Sequence, residues 1–144
     1  VGGKSSVALA HAILTSLGIP TYTLLDGDSG FAARALANGK SRESIDQERQ
    51  GHAAANRAAL RYFGLAEVDF PSEQVTDAVA VFDDRLESYL STTWPEWQLS
   101  CDAVEAAAGL SLKKNQWAYR AATLEAGGAV PGMLTAILAK ARGE

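Results

Sequence analysis

Near the start of the chain, Val7, Ala10, Ile13, Leu14 and Leu17 recur at helical spacing and share one face. Ser5 or Ser6 can cap this helix, Gly18 ends it, and Pro20 stands just beyond. The period then changes. Thr21 to Leu25 is apolar and β-branched, a strand that runs straight into Asp26-Gly27-Asp28-Ser29-Gly30. Phe31 to Lys40 is alanine-rich with an Asn38-Gly39 turn signal, and Ser41-Arg42-Glu43-Ser44 opens a long helix through Phe63. Its predicted inner face is Ile45, Ala53, Asn56, Ala59, Leu60 and Phe63. Gly64 stops it. The loop from Ala66 to Thr76, with Phe70-Pro71 inside it, leads to Ala78-Val79-Ala80-Val81-Phe82, which reads as a second buried strand.

Helix, strand, helix, strand in this order implies parallel strands joined by crossovers, an α/β layer rather than a bundle. Beyond Phe82 the character becomes helical, over Arg85 to Tyr89, Glu96 to Ala108, Lys113 to Glu125 and Pro131 to Arg142. The predicted organisation is therefore an α/β core over residues 1–90, with a helical C-terminal extension of the same domain over 91–144. No internal repeat or low-complexity linker interrupts it, and Gly127-Gly128 is a local helix break.

Composition narrows the class without choosing a function. With 144 residues, 47% hydrophobic and 21% charged, the chain can bury a core of its own. A formal charge of −4 argues against coating nucleic acid by bulk charge, although a local cation site can still contact phosphates. The single cysteine, Cys101, excludes an internal disulfide and a cysteine-rich zinc cluster and is compatible with a reducing cytoplasm, the expected location. No apolar run approaches the roughly 20 residues that span a bilayer. The chain opens on Val1, directly before Gly2-Gly3-Lys4, with no room for a strand ahead of that turn, and so reads as an excerpt.

Candidate chemistry concentrates where the first strand ends. Asp26 and Asp28 are one residue apart, and in extended chain residues i and i+2 point the same way, so the pair can share a hard cation through oxygen ligands. A solvated Asp-Gly turn is the plainer reading. Glu87, just after the second strand, stands where a further metal ligand has to come from. Gly2-Gly3-Lys4-Ser5-Ser6 offers N–H groups and a cation at a helix start, as the end of a P-loop does. Lys113-Lys114 can neutralise a pentavalent phosphate, though surface lysines are common. His11 and His52 lack ligand partners at useful spacing and read as structural, while Trp94, Trp97 and Trp117 read as packing residues of the helical part.

Taken together, Val1-Gly2-Gly3-Lys4, a helix, Leu17-Gly18-Ile19-Pro20 and Leu25-Asp26-Gly27-Asp28 resemble the central part of the TOPRIM domain of overcoming-lysogenization-defect (OLD) family ATP-dependent endonucleases. Downstream, Leu86-Glu87 with Leu90 is similar to the family's Leu-Glu element, and Lys113-Lys114 falls where a functional lysine follows it. The resemblance implies a partial TOPRIM-like Rossmannoid parallel sheet. It also implies Mg²⁺ or Mn²⁺ at Asp26, Asp28 and Glu87, with Lys113 or Lys114 stabilising transition-state charge in two-metal phosphodiester hydrolysis. DNA and an upstream ATPase domain of the parent chain are the implied partners; no membrane is involved, and a homodimer stays open.

One departure matters. The family's first acidic element, a Val-Glu-Gly stretch on the preceding strand, is absent, so the 144-residue chain alone is expected to be inactive as a nuclease. An adenylylsulfate-type nucleotide kinase is the alternative, since Gly3-Lys4-Ser5 and Leu25-Asp26-Gly27-Asp28 resemble its P-loop end and its Asp-Gly-Asp strand. That template carries an arginine shortly after the Asp-Gly-Asp, where this chain has Ser29-Gly30-Phe31. A non-catalytic α/β interaction module is the third reading.

Overall fold

The computed structural model describes residues 3–109, 111 and 116–144, with the side chains of Ser5 and Gln116 outside that description. Among the described residues the elements run α1 (Lys4–Ser16), β1 (Thr23–Asp26), α2 (Phe31–Ala37), α3 (Arg42–Tyr62), β2 (Gln74–Val75), β3 (Val79–Phe82), α4 (Leu86–Thr93), α5 (Pro95–Ala108), α6 (Gln116–Glu125) and α7 (Gly132–Arg142). They form two compact units, residues 1–85 with 136–144 and residues 86–135.

In the first unit, β1 pairs parallel to β3 in the register Thr23 to Val79 through Asp26 to Phe82. The expected parallel pair is present, but the sheet is mixed. β2 adds to the other edge of β3 antiparallel, in the order β1-β3-β2. Two residues are too short to show a period in the sequence. The Thr76 hydroxyl makes this hairpin, donating to the Val79 carbonyl at 2.8 Å and accepting from the Val79 N–H at 3.1 Å. All four residues of β3 are buried, as befits the central strand of the three. β1 alternates instead, Thr23 and Leu25 inward, Leu24 and Asp26 outward, and it begins two residues later than the apolar run does.

Helix α3 closes the core of this unit. Ser41 caps it by accepting from the Ser44 N–H at 3.3 Å. Ile45, Ala53, Asn56, Ala59 and Leu60 are buried, which is the predicted inner face apart from the half-buried Phe63. Ala59 and Leu60 pack with Leu25, Val79 and Val81, and Val7, Phe63 and Leu65 close around them. Helix α1 departs from expectation at its start. Its cap is Gly3, which offers no side-chain bond, so Lys4 rather than a capped serine opens the first turn.

The second unit is helical, as the sequence pattern implies. Leu90, Trp94, Trp97, Cys101 and Ala122 form its core, and Pro95 starts α5 while a left-handed Gly109 ends it. Both buried indoles find acceptors, Trp94 in the Gly127 carbonyl at 2.7 Å and Trp97 in the Thr123 hydroxyl at 3.0 Å. Trp117 corrects the packing expectation. It is 79% exposed and takes no part in that core. No described helix is long and apolar enough to cross a membrane.

Candidate functional site at the carboxyl edge of the parallel strands

Parallel strands place their carboxyl ends on one edge, and ligands of α/β sheets bind there. Here that edge is made by two turns bonded to each other. The Gly27 N–H donates to the Phe82 carbonyl at 2.7 Å, the Asp28 N–H to the Asp84 carbonyl at 3.0 Å and the Ser29 N–H to the Asp83 carbonyl at 3.2 Å. The approach is so close that a Cβ on Gly27 would lie 2.3 Å from the Asp83 carbonyl oxygen. Only glycine fits between these turns. Below them, Asp84 accepts from the Gly30 N–H at 3.2 Å and pairs with Arg34 of α2, which fixes the second turn to the first.

Asp28 adopts a left-handed φ of 61°, alone among the described non-glycine residues. Such a conformation is uncommon outside glycine, asparagine and aspartate, and it concentrates where surrounding contacts hold it in place. It also corrects the spacing premise. The i, i+2 alternation that aligned Asp26 with Asp28 holds only in extended chain, and the chain leaves that conformation at Asp28.

What surrounds Asp28 was largely unforeseen. The Lys4 ammonium donates to its Oδ2 at 2.5 Å, and the Nδ1 edge of His52 stands 3.0 Å from the same oxygen. Lys4 also donates to Asn56 Oδ1 at 2.5 Å. Asn56, only 2% exposed, uses its amide N–H groups on the Gly27 carbonyl at 2.8 Å and the Asp69 carbonyl at 2.7 Å. Both its donors and its carbonyl oxygen are therefore engaged. A lysine in the first turn opposes the helix dipole of α1, and the Asp28 carboxylate offsets that. His52 and Asn56 are one turn apart on α3, so one helix presents both.

Two clefts open onto Asp28. One, of about 440 Å³, is lined by Lys4, Asp28, Glu48, Gly51 and His52 among others. The other, of about 300 Å³, lies between Asp28, Ser29, Phe31, Ala32, Arg49 and Phe70. Gly51 sits inside α3 where a Cβ would meet nothing within 4 Å, so packing does not demand a glycine at that wall.

Of the residues singled out in the sequence, Asp26 ends β1 on its exposed face and Asp28 is the hub of the polar cluster. Glu87 lies exposed in the first turn of α4 and belongs to the second unit. Lys113 and Lys114 lie outside the described residues. Lys4 belongs in the sequence reading to the Gly-Gly-Lys turn, as half of a P-loop and within the OLD resemblance, without a link to Asp28, and His52 is read there as structural; Asn56 falls on the predicted inner face without a role. The available signal was a polar residue in an otherwise apolar helical face, one turn after a histidine.

Chemically, the edge offers carboxylate oxygens, an ammonium and an imidazole within hydrogen-bond reach of one another. Mg²⁺ is commonly held by one or two carboxylates, with water and substrate phosphate oxygens completing its octahedron. The donor type at Asp26 and Asp28 fits that pattern. Among the described residues, no group of three or more His, Cys, Asp or Glu is gathered that can cage a metal. Comparison of the chain with family models, curated proteins and solved structures finds no match.

Proposed function

We propose that this chain carries the strand-edge metal-binding part of a DNA endonuclease of the OLD type, with a TOPRIM-like core. The observation that supports this reading most directly is the departure of Asp26-Gly27-Asp28 from the carboxyl end of β1, beside the carboxyl end of its parallel partner β3. Asp26 and Asp28 hold Mg²⁺ or Mn²⁺. The bound cation supplies charge stabilisation and a polarised water for phosphodiester hydrolysis. The chain's own part is to orient the carboxylates: Asn56 fixes Lys4 and the Gly27 carbonyl, and Lys4 with His52 aims Asp28. The remaining acidic motif and the ATPase domain belong to the parent protein in this reading.

The test is calorimetric titration of Mg²⁺ and Mn²⁺ into the wild-type chain and the Asp26→Ala/Asp28→Ala double variant. Binding in the wild type that the double variant loses is the expected result. Equal heats from the two proteins overturn the assignment.

A nucleotide-kinase reading draws on one observation, Gly3 capping α1 with Lys4 in its first turn against Asp28. It predicts that Mg²⁺-ATP raises the melting temperature of the wild type and leaves Lys4→Met unchanged. No shift in the wild type removes it.

A further inference from the structure

The smaller cleft beside Asp28 has a lining that holding a metal does not require. Phe31 and Phe70 are both only half-buried where they line it. The Phe31 ring packs at 4.3 Å and a 42° tilt on the imidazole of His52, and the Arg49 guanidinium lies 5.3 Å from the centroid of Phe70. An exposed apolar ring gains nothing from water, and a cation above its face stays there through the ring quadrupole. Two phenylalanine rings, a guanidinium and the Ser29 side of the Asp28 turn thus share one opening of about 300 Å³. That volume is at the small end of the about 300–1,000 Å³ typical of ligand clefts, suited to one planar ring system.

We propose that this cleft receives a nucleobase of a DNA strand, an unstacked one whose neighbouring phosphate lies by the proposed cation site at Asp28. The rings match the π-face that every base has, and Arg49 matches the phosphate attached to it. A purely aliphatic ligand would leave the guanidinium without a counterpart, and an unmodified aromatic side chain of a peptide brings no phosphate. The formal charge of −4 makes bulk attraction of DNA poor, so affinity has to come from such local stacking and from the cation site. A base inside a duplex cannot reach the cleft without leaving its stack, which makes single-stranded or frayed DNA the preferred form. The source of the base rests on the nuclease reading; the base-shaped cleft does not.

The experiment is fluorescence anisotropy of the 144-residue chain with a labelled hexathymidylate, with the same strand made fully abasic, and with thymidine monophosphate as competitor. It is repeated on Phe31→Leu and Phe70→Leu, which keep apolar bulk and remove the ring, each checked by circular dichroism. The expected result is about tenfold weaker binding for the abasic strand and for each leucine variant. Equal binding of base-bearing and abasic strands overturns the proposal without any variant. Natively folded leucine variants that bind as the wild type does also overturn it. A monophosphate that binds as tightly as the strand overturns the strand as the source of the base. The Asp26→Ala/Asp28→Ala calorimetry fails or succeeds separately: base-dependent binding with no carboxylate-dependent metal binding leaves the cleft and removes the nuclease, and the reverse pattern removes only the cleft.

Discussion

Buried polar groups in the two units have different kinds of partner. In the helical unit each buried indole donates to one acceptor of its own neighbourhood, and the rest of the core is apolar. At the strand edge of the first unit, one asparagine ties together β1, the loop at Asp69 and the first residue of α1, and the lysine it holds reaches a carboxylate in a left-handed turn. Packing accounts for the first arrangement. The second gathers charges around a cleft, which a fold in search of stability alone would avoid, since ordered and partly buried charges cost desolvation. The difference teaches where to look for chemistry: where polar side chains from several elements converge on one carboxylate.

The comparison can be broken most forcefully in the helical unit. Trp97→Ala is expected to cost about 3–5 kcal/mol through a large cavity, read by denaturant unfolding followed by tryptophan fluorescence. All three tryptophans lie in residues 86–135, so that signal reports the second unit. The metal binding proposed for Asp26 and Asp28 should survive; its loss would show that the two regions are not separable. Asn56→Leu is the counterpart at the strand edge. It leaves the Gly27 and Asp69 carbonyls without their donor and is expected to cost about 1–3 kcal/mol, read by far-ultraviolet circular dichroism. Because it also releases Lys4, Mg²⁺ affinity should fall with it, whereas a residue that only packs would leave calorimetric binding unchanged.

Smaller effects sharpen the contrast. Ser41→Ala removes a helix cap and should lower stability by about 1 kcal/mol without touching metal binding. Gly51→Ala should act in the opposite direction, stabilising α3 by about 0.5–1 kcal/mol, because its Cβ enters open space. A cleft used by a ligand would then show weaker binding in a more stable protein. The last prediction concerns pH. Burial first, then Asp102 and Glu105, raise the Cys101 thiol above its ordinary value. The folded state therefore keeps a proton that the unfolded chain loses, so this contribution is present below the unfolded thiol's pKa and declines as pH rises from there toward the folded one. Unfolding midpoints by tryptophan fluorescence should show a slight alkaline decline that Cys101→Ala removes.

Much of the fold was legible in the sequence. The periodicity of α3, its serine cap, and the glycines at positions 18 and 64 placed helix ends within a residue or two, because caps and apolar stripes are local properties. The two parallel strands followed from alternation. β2 was not legible, since a two-residue strand exists only through its pairing with β3. Of the candidate site, Asp26 and Asp28 stood out because an apolar run ends on them. Lys4 stood out within its Gly-Gly-Lys turn but not as a partner of Asp28, and His52 and Asn56 were no candidates, the three being respectively 24, 24 and 28 positions from Asp28 in the chain.

By itself the sequence determined the long helix α3, the stretches of β1 and β3 and an Asp-Gly-Asp where the first of them ends, since these depend on neighbours within a few residues. Only the tertiary structure decided that Asp28 turns left-handed, that Gly27 has to be glycine, and that α1 and α3 bring an ammonium and an imidazole to one carboxylate, with an amide holding the ammonium. The physical reason is distance along the chain: a hydrogen bond between residues tens of positions apart is specified by the packing of the elements that carry them, and no local pattern encodes it.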